Sequence, residues 1–372
     1  MGATLDLSGR VDDALAAFDK SIALDPNDEH VWVDRAAMFR KLKRFSEAEV
    51  AIQRAIRLRP EDSAAWNGKS SILAAQGRLD EAVEAGERGV ALDPNDAVAW
   101  FNLGTTLAHL RQNEKAAEAF ERSVNCDGND ADAWYRLGNV LGRLGRLDES
   151  VEKLNRATEL APDSSEAWAD RGRVLADLGQ IDEALESLDR AAALSTTDAT
   201  VRRDKGAILA ELRRYEEALA ALAEANKLNP KDAKVWLSTG SILEDVGRFG
   251  DAAKLFKVAV QLSPDDPYAW NQLGRALGAE GAFAEALVAH DKALDLDPDF
   301  AGAWNARGLA LASSGSLEEA LHSFDRAIAT APTFGAAWQN KIRALKELGR
   351  HDEASEVAKQ QPKSPVEVDE RA

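Results

Sequence analysis

A single cysteine, Cys126, stands in 372 residues, so neither an intrachain disulfide nor a cysteine-built zinc site can form. Histidine is also scarce. His30, His109, His290, His322 and His351 are scattered, with no HExxH and no second histidine one helical turn away, so no metal site is expected. The chain has no run of eighteen apolar residues, and its opening, MGATLDLSGR, lacks the basic end and apolar core of a secretion signal. Membrane insertion is therefore not expected, and a cytoplasmic location is. Positive charge is short too: 46 Lys and Arg face 64 Asp and Glu, a formal net charge of −18. Such a surface is poorly suited to neutralising phosphates, so nucleic acid is not an expected partner. Also missing are a glycine-rich phosphate loop, a GxSxG elbow, a GxGxxG, and any strand pattern to carry them. No cofactor and no catalytic activity are implied.

What is present is a period. The nine tryptophans, Trp32, Trp66, Trp100, Trp134, Trp168, Trp236, Trp270, Trp304 and Trp338, are separated by 34 residues, or once by twice that interval. A stack of identical supersecondary units repeats each core position at a fixed interval, whereas a globular enzyme has no reason to. With each Trp fourth in the frame, full repeats begin at 29, 63, 97, 131, 165, 199, 233, 267, 301 and 335. Residues 1–28 form a truncated first repeat, the array runs over 29–360, and 361–372, polar and Pro-containing, are expected to be disordered.

Within a repeat the apolar spacing predicts two amphipathic helices. In 131–164, Trp134, Leu137, Gly138 and Leu141 fall on one face of the first, and Ser150, Leu154 and Ala157 on one face of the second. Gly77, Gly145, Gly179, Gly247, Gly281, Gly315 and Gly349 sit between the halves, where positive φ ends a helix. Prolines such as Pro26, Pro94, Pro162 and Pro298 close the second helix. Small residues at the eighth place, such as Gly138, and the twentieth, such as Ala184, are expected to let helix axes approach. Paired acids such as Asp80-Glu81 and Asp148-Glu149 resemble catalytic dyads, but they recur at one frame position that opens the second helix, where carboxylates meet the positive end of the dipole.

Trp, then Leu-Gly three and four residues on, then Ala, an aromatic or Leu, Ala and Pro, resembles the tetratricopeptide repeat family. Trp134, Leu137, Gly138, Leu141, Ala157 and Pro162 carry the pattern, as do Trp270, Leu273, Gly274, Leu277, Ala286, Ala293 and Pro298. The resemblance implies an all-α, right-handed α-solenoid superhelix of stacked helix-turn-helix repeats. First helices would line a concave groove that holds a peptide or protein partner, making the chain a non-catalytic interaction scaffold. The alternative is an interaction segment of a larger enzyme or membrane protein whose catalytic part lies outside this chain.

Several positions depart from the pattern. Arg35, Lys69, Arg171, Lys205, Arg307 and Lys341 replace the Leu before the small residue, with stems expected to cover apolar surface and heads to reach water. At 195–202, STTDATVR, both the closing Pro and the next Trp are missing, which predicts the softest joint in the stack and a candidate hinge. His290 stands where Phe256 and Phe324 stand in adjoining repeats, and is read as a satisfied core histidine.

Groove-facing residues are expected at places 2, 5, 6, 9, 12 and 13 of each repeat. The family's clamp for acidic tails is matched only by Asn102 and Arg136, since Asn67, Ser71 and Asp132 occupy its other positions; a regular Asn ladder is missing as well. The candidate partner site is therefore Phe101 and Tyr135, with Asn102, Thr105, Arg136, Asn139 and Arg143. An apolar side chain would sit between the rings, the arginines would hold a carboxylate or carbonyls, and Asn139 would bond a peptide main chain. Arg173, Arg203 and Arg275, interleaved with acids, are secondary candidates. The open N-terminal repeat is a candidate for self-association, because solenoid ends need a polar cap.

Overall fold

A computed structural model describes residues 11–362, so the first half of the truncated opening repeat and the tail beyond 362 lie outside the described residues. Every described element is a helix. The chain divides into two compact units, residues 1–195 and 196–372, each an all-α solenoid of antiparallel helix pairs. The first unit contains α1 (Val11–Leu24), α2 (Glu29–Lys41), α3 (Phe45–Leu58), α4 (Ser63–Ala75), α5 (Leu79–Leu92), α6 (Ala97–His109), α7 (Asn113–Cys126), α8 (Ala131–Arg143), α9 (Leu147–Leu160), α10 (Ser165–Asp177) and α11 (Ile181–Leu194). The second contains α12 (Ala199–Glu211), α13 (Tyr215–Leu228), α14 (Ala233–Asp245), α15 (Phe249–Leu262), α16 (Pro267–Glu280), α17 (Phe283–Leu296), α18 (Ala301–Ser313), α19 (Leu317–Thr330), α20 (Gly335–Glu347) and α21 (His351–Gln360).

Except for α18 and α20, which follow Phe300 and Phe334, the first helix of each pair is started by a side-chain cap. Asp130 accepts from the N–H groups of Asp132 and Ala133, and Asp232 from that of Lys234, satisfying donors the helix itself leaves open. Second helices have no such cap. In six of them an acid of the first turn is instead tied to an arginine at the cap position, as in Arg146–Glu149 and Arg350–Glu353. Between the two helices Gly145 and Gly281 take φ of 74° and 91°. Lys43, Arg111 and Arg213 fill the same place in other repeats and still adopt φ of 57–59°, a conformation costing a side-chain-bearing residue about 1–2 kcal/mol.

Packing inside a pair follows a knob at place 24 set against a small residue at place 8. A Cβ on Gly138 would lie 2.8 Å from Leu154 Cγ, and one on Gly240 or Gly308 would lie 2.5 Å from the ring of Phe256 or Phe324. These rings are fully buried, so each glycine admits a side chain that no larger residue would leave room for.

Joints between pairs carry a second device. Every tryptophan donates its indole N–H to the backbone carbonyl six residues earlier, at 2.8–3.1 Å. The acceptor is a proline carbonyl in every case except Trp134, which bonds to Gly128. The ring thus pins the loop to the helix that follows it. Basic residues three places on reinforce the joint: Arg171 and Arg307 lie over Trp168 and Trp304. Their heads do not simply enter water. Arg171 donates to Asn155, Arg307 to Asp291, and Lys341 pairs with Asp325, each partner sixteen residues back on the preceding second helix.

The boundary between the units falls at Ser195 and Thr196. There Arg202, in the tryptophan place, bonds the Asp198 carbonyl at 2.8 Å and Glu224 at 3.3 Å, and the tie to a proline carbonyl is gone.

Candidate partner-binding face

On the first-helix face of the first unit, the candidate residues are distributed between packing and exposure. Phe101 is half-buried, its ring edge-on to fully buried Phe120 with centroids 5.8 Å apart. It belongs in large part to the core of its repeat. The Thr105 hydroxyl turns back to donate to the Phe101 carbonyl at 2.9 Å, and Asn102 is half-buried beside it. Tyr135 is also half-buried, and burial pushes its phenol above the usual value against the pull of Arg136 and Arg173. It borders a pocket of about 220 Å3 with Ala157, Ala161 and Ala167. Arg136 is exposed and pairs with Asp132 at 3.3 Å; Arg143 is exposed and has no ion pair with a described residue.

Asn139 donates to Asp170 at 2.9 Å across the joint, and Arg173 pairs with the same carboxylate. Asp170 is buried, so these two contacts supply what its charge needs. The other secondary candidates are similarly engaged within the second unit. Arg203 bonds Asp204 and Asp232 at 3.0 and 2.9 Å. Arg275 reaches Glu244 and Gln272, both at 3.0 Å. Arg203 and Arg275 therefore tie neighbouring elements together, while Arg173 pairs within its own helix.

Two features escaped the sequence reading. One is a pocket of about 360 Å3 on the first-helix face of the second unit, bordered by α14, α16, α17 and α18. The other corrects an expectation. His290 is buried, with 1% of its surface exposed, but it is not fully satisfied, because Nδ1 has no hydrogen-bond partner. Burial drives its pKa down to about 4, Asp291 opposing and Arg307 and Arg275 assisting. The visible signal was a polar ring at an aromatic place.

Among the described residues no group of three His, Cys, Asp or Glu is arranged to hold a metal, and no helix is long and apolar enough to cross a membrane.

Tetratricopeptide repeat models match residues 5–55, 39–97 and 73–137, and the model of the C-terminal domain of cilia and flagella-associated protein 70 matches 129–345, more than half of the chain. The chain belongs to the tetratricopeptide repeat family. Its repeats are the hairpin units with which such proteins present helical surfaces to protein or peptide partners. No curated protein sequence matches this tetratricopeptide protein. Among solved structures it is similar to the Cut9–Hcn1 hetero-tetramer of APC/C, at 15% identity and TM-score 0.54 over 92% of this chain and 74% of that one. It is similar also to pilF of Pseudomonas aeruginosa, at 21% identity and TM-score 0.51 over 59% and 100%. A third similarity is to YrrB, described as having an unusual peptide-binding site, at 25% identity and TM-score 0.46 over 50% and 95%. The first two establish likeness of fold.

Proposed function

We propose that this tetratricopeptide protein is a non-catalytic scaffold that holds a peptide or protein partner on its first-helix face, with Phe101, Asn102, Thr105, Tyr135, Arg136, Asn139 and Arg143 as the contact region. The observation carrying this reading is on α8. There a half-buried tyrosine borders a small pocket, while Arg136 is held only by one exposed carboxylate and Arg143 by none. An aromatic ring half out of water beside two exposed guanidinium groups suits an apolar side chain and a carboxylate or carbonyl of a partner. Phe101 contributes mainly by setting the floor of that region through Phe120.

The test is affinity capture from native lysate with the full chain and a Tyr135→Ala, Arg136→Glu, Arg143→Glu variant, both checked for helicity. Phe101 is left intact because its removal would open the core. Partners retained by the unaltered chain and lost by the variant support the reading. The same set of proteins retained by both forms overturns it.

A further inference from the structure

Basic residues at place 7 of a repeat share one contact. Arg35 pairs with Asp19 at 2.8 Å, Arg171 donates to Asn155 at 2.6 Å, Arg307 pairs with Asp291 at 2.7 Å and Lys341 with Asp325 at 2.6 Å. Each partner stands at place 25 of the preceding repeat. Arg35, Arg171 and Arg307 also lie over Trp32, Trp168 and Trp304, the tryptophans three residues before them. A joint thus holds a slot with an indole along its side and a polar group at its end, filled by one long basic side chain. At the joint into repeat 97–130 the indole is Trp100 and place 25 is Glu87, but place 7 is Leu103, which ends short of the carboxylate. Glu87 is exposed and has no ion pair with a described residue. The next joint also has Leu137 at place 7, with Glu121 at place 25, and there Lys153 of α9 comes over Trp134 instead, at 5.7 Å. Trp100 has no such cation among the described residues.

Around Leu103 the slot opens into a cleft of about 540 Å3 between α5 and α7, floored by Trp100, Leu103 and Leu107 of α6 and walled by Val90, Ala91 and Ala119. Its rim sets Glu87 and Glu118 against Lys115 and Arg122, so net charge does not choose the occupant. Lys115 and Arg122 are exposed on α7, and neither pairs with Glu87. The choice is made by what fills the same slot elsewhere in the chain. From that pattern we infer a second binding site, built on the second helices rather than on the first-helix face: the α5–α6–α7 cleft takes an arginine side chain of a partner protein, its stem along Trp100 and Leu103 and its guanidinium on Glu87. A planar guanidinium stacks on an indole while its edge donates to a carboxylate, which an ammonium does less well. An acidic side chain would meet Glu87 with like charge, and an apolar one would give Glu87 none of the pairing that Asp19, Asp291 and Asp325 receive. The cleft is larger than one arginine side chain, and Val90 and Leu107 make apolar contact for the residue beside it.

The experiment pans a phage-displayed library of random nonapeptides on the full chain, with counter-selection against Leu103→Arg, which gives this joint the filler of the others and is checked for helicity. The selected peptides are expected to share an arginine at one position. Fluorescence polarisation then measures one of them. Citrulline in place of that arginine keeps the shape and removes the charge, and is expected to weaken binding at least tenfold, Leu103→Arg about tenfold and Glu87→Gln severalfold. Because Glu87 is exposed, Glu87→Gln reads the charge without touching the core, whatever Leu103→Arg does to packing. The Tyr135→Ala, Arg136→Glu, Arg143→Glu chain is expected to bind the same peptide unchanged, so failure of the first-helix site leaves this result standing. Recovery of no peptide that prefers the unaltered chain to Leu103→Arg, selected peptides without a shared arginine, or equal binding by Glu87→Gln each overturns the inference.

Discussion

At 196–202 the second unit lacks the proline and tryptophan that tie other joints, whereas at 290 it lacks the aromatic ring that Phe256 and Phe324 supply to the repeats on either side. The first exchanges two places of the frame and the second one, and their costs fall on different links. Arg202 lies at a joint, largely out of water, and its head finds the Asp198 carbonyl and Glu224. What is lost there is a connection, the indole-to-carbonyl bond that pins loop to helix. His290 keeps its ring against Gly274 and its burial. What is lost there is solvation, because a nitrogen is sealed off without a partner. An exchange at a joint weakens how repeats join, while an exchange in the core of a repeat raises the energy of that repeat and leaves its packing intact.

The sharpest test removes both exchanged side chains. His290→Ala is expected to lower unfolding free energy by roughly 3–4 kcal/mol through the cavity it opens beside Gly274, and Arg202→Ala by about 1 kcal/mol through the hydrogen bonds its head gives up. Urea midpoints of the two variants read this directly, and equal losses would erase the distinction between joint and core.

Acid gives the second test. The folded pKa of His290 is depressed to about 4, so its contribution to stability is complete above the unfolded value near 6.5 and is lost as pH falls toward 4, by about 3 kcal/mol in total. Replacing the ring with the phenylalanine of the adjoining repeats, His290→Phe, removes that dependence. The difference between the two proteins in urea midpoint should grow steadily from pH 6.5 to 4, and a constant difference would show that the imidazole takes up no proton on unfolding.

The joint can be repaired in the opposite direction. Ser195 has φ −117° and ψ 96°, close to the φ −132° and ψ 92° of Asp93 before Pro94, the extended conformation that a residue before proline adopts. Thr196→Pro with Arg202→Trp is therefore expected to stabilise the chain by about 1–2 kcal/mol and to bring the unfolding transitions of the two units closer in denaturant. Destabilisation would show that the tie cannot be transplanted. Smallest is Gly128→Pro, in the one joint that has the tryptophan without the proline. Asp127, at φ −133° and ψ 97°, is ready for it, and a gain of about 0.5–1 kcal/mol in thermal unfolding is expected.

Much of the fold was legible because its largest residue marks every repeat: tryptophan, the turn glycines and the closing prolines place the helix pairs from the sequence. The ties were not legible, since a bond from an indole to a carbonyl six residues back depends on loop geometry. Nor was the pairing of Arg171 with Asn155 or Arg307 with Asp291, which spans sixteen residues and two repeats. At the candidate faces, residue chemistry could be read but not residue commitments, so Arg173, Arg203 and Arg275 drew attention as cations before their carboxylates were placed. The second-unit pocket stayed hidden for a further reason. It is made by Gly278, Ala279 and Ala306, residues noticed for what they lack only when the walls around them are known.

Because each described joint but one holds an indole bonded to its own loop, the chain carries its own set of optical reporters. Opening any of those joints frees an indole N–H to water and shifts its fluorescence to the red. The 196–202 joint has no indole and is dark to this signal, so a movement confined to it would leave the emission spectrum unaltered. With a tryptophan introduced there, the same spectrum would register it.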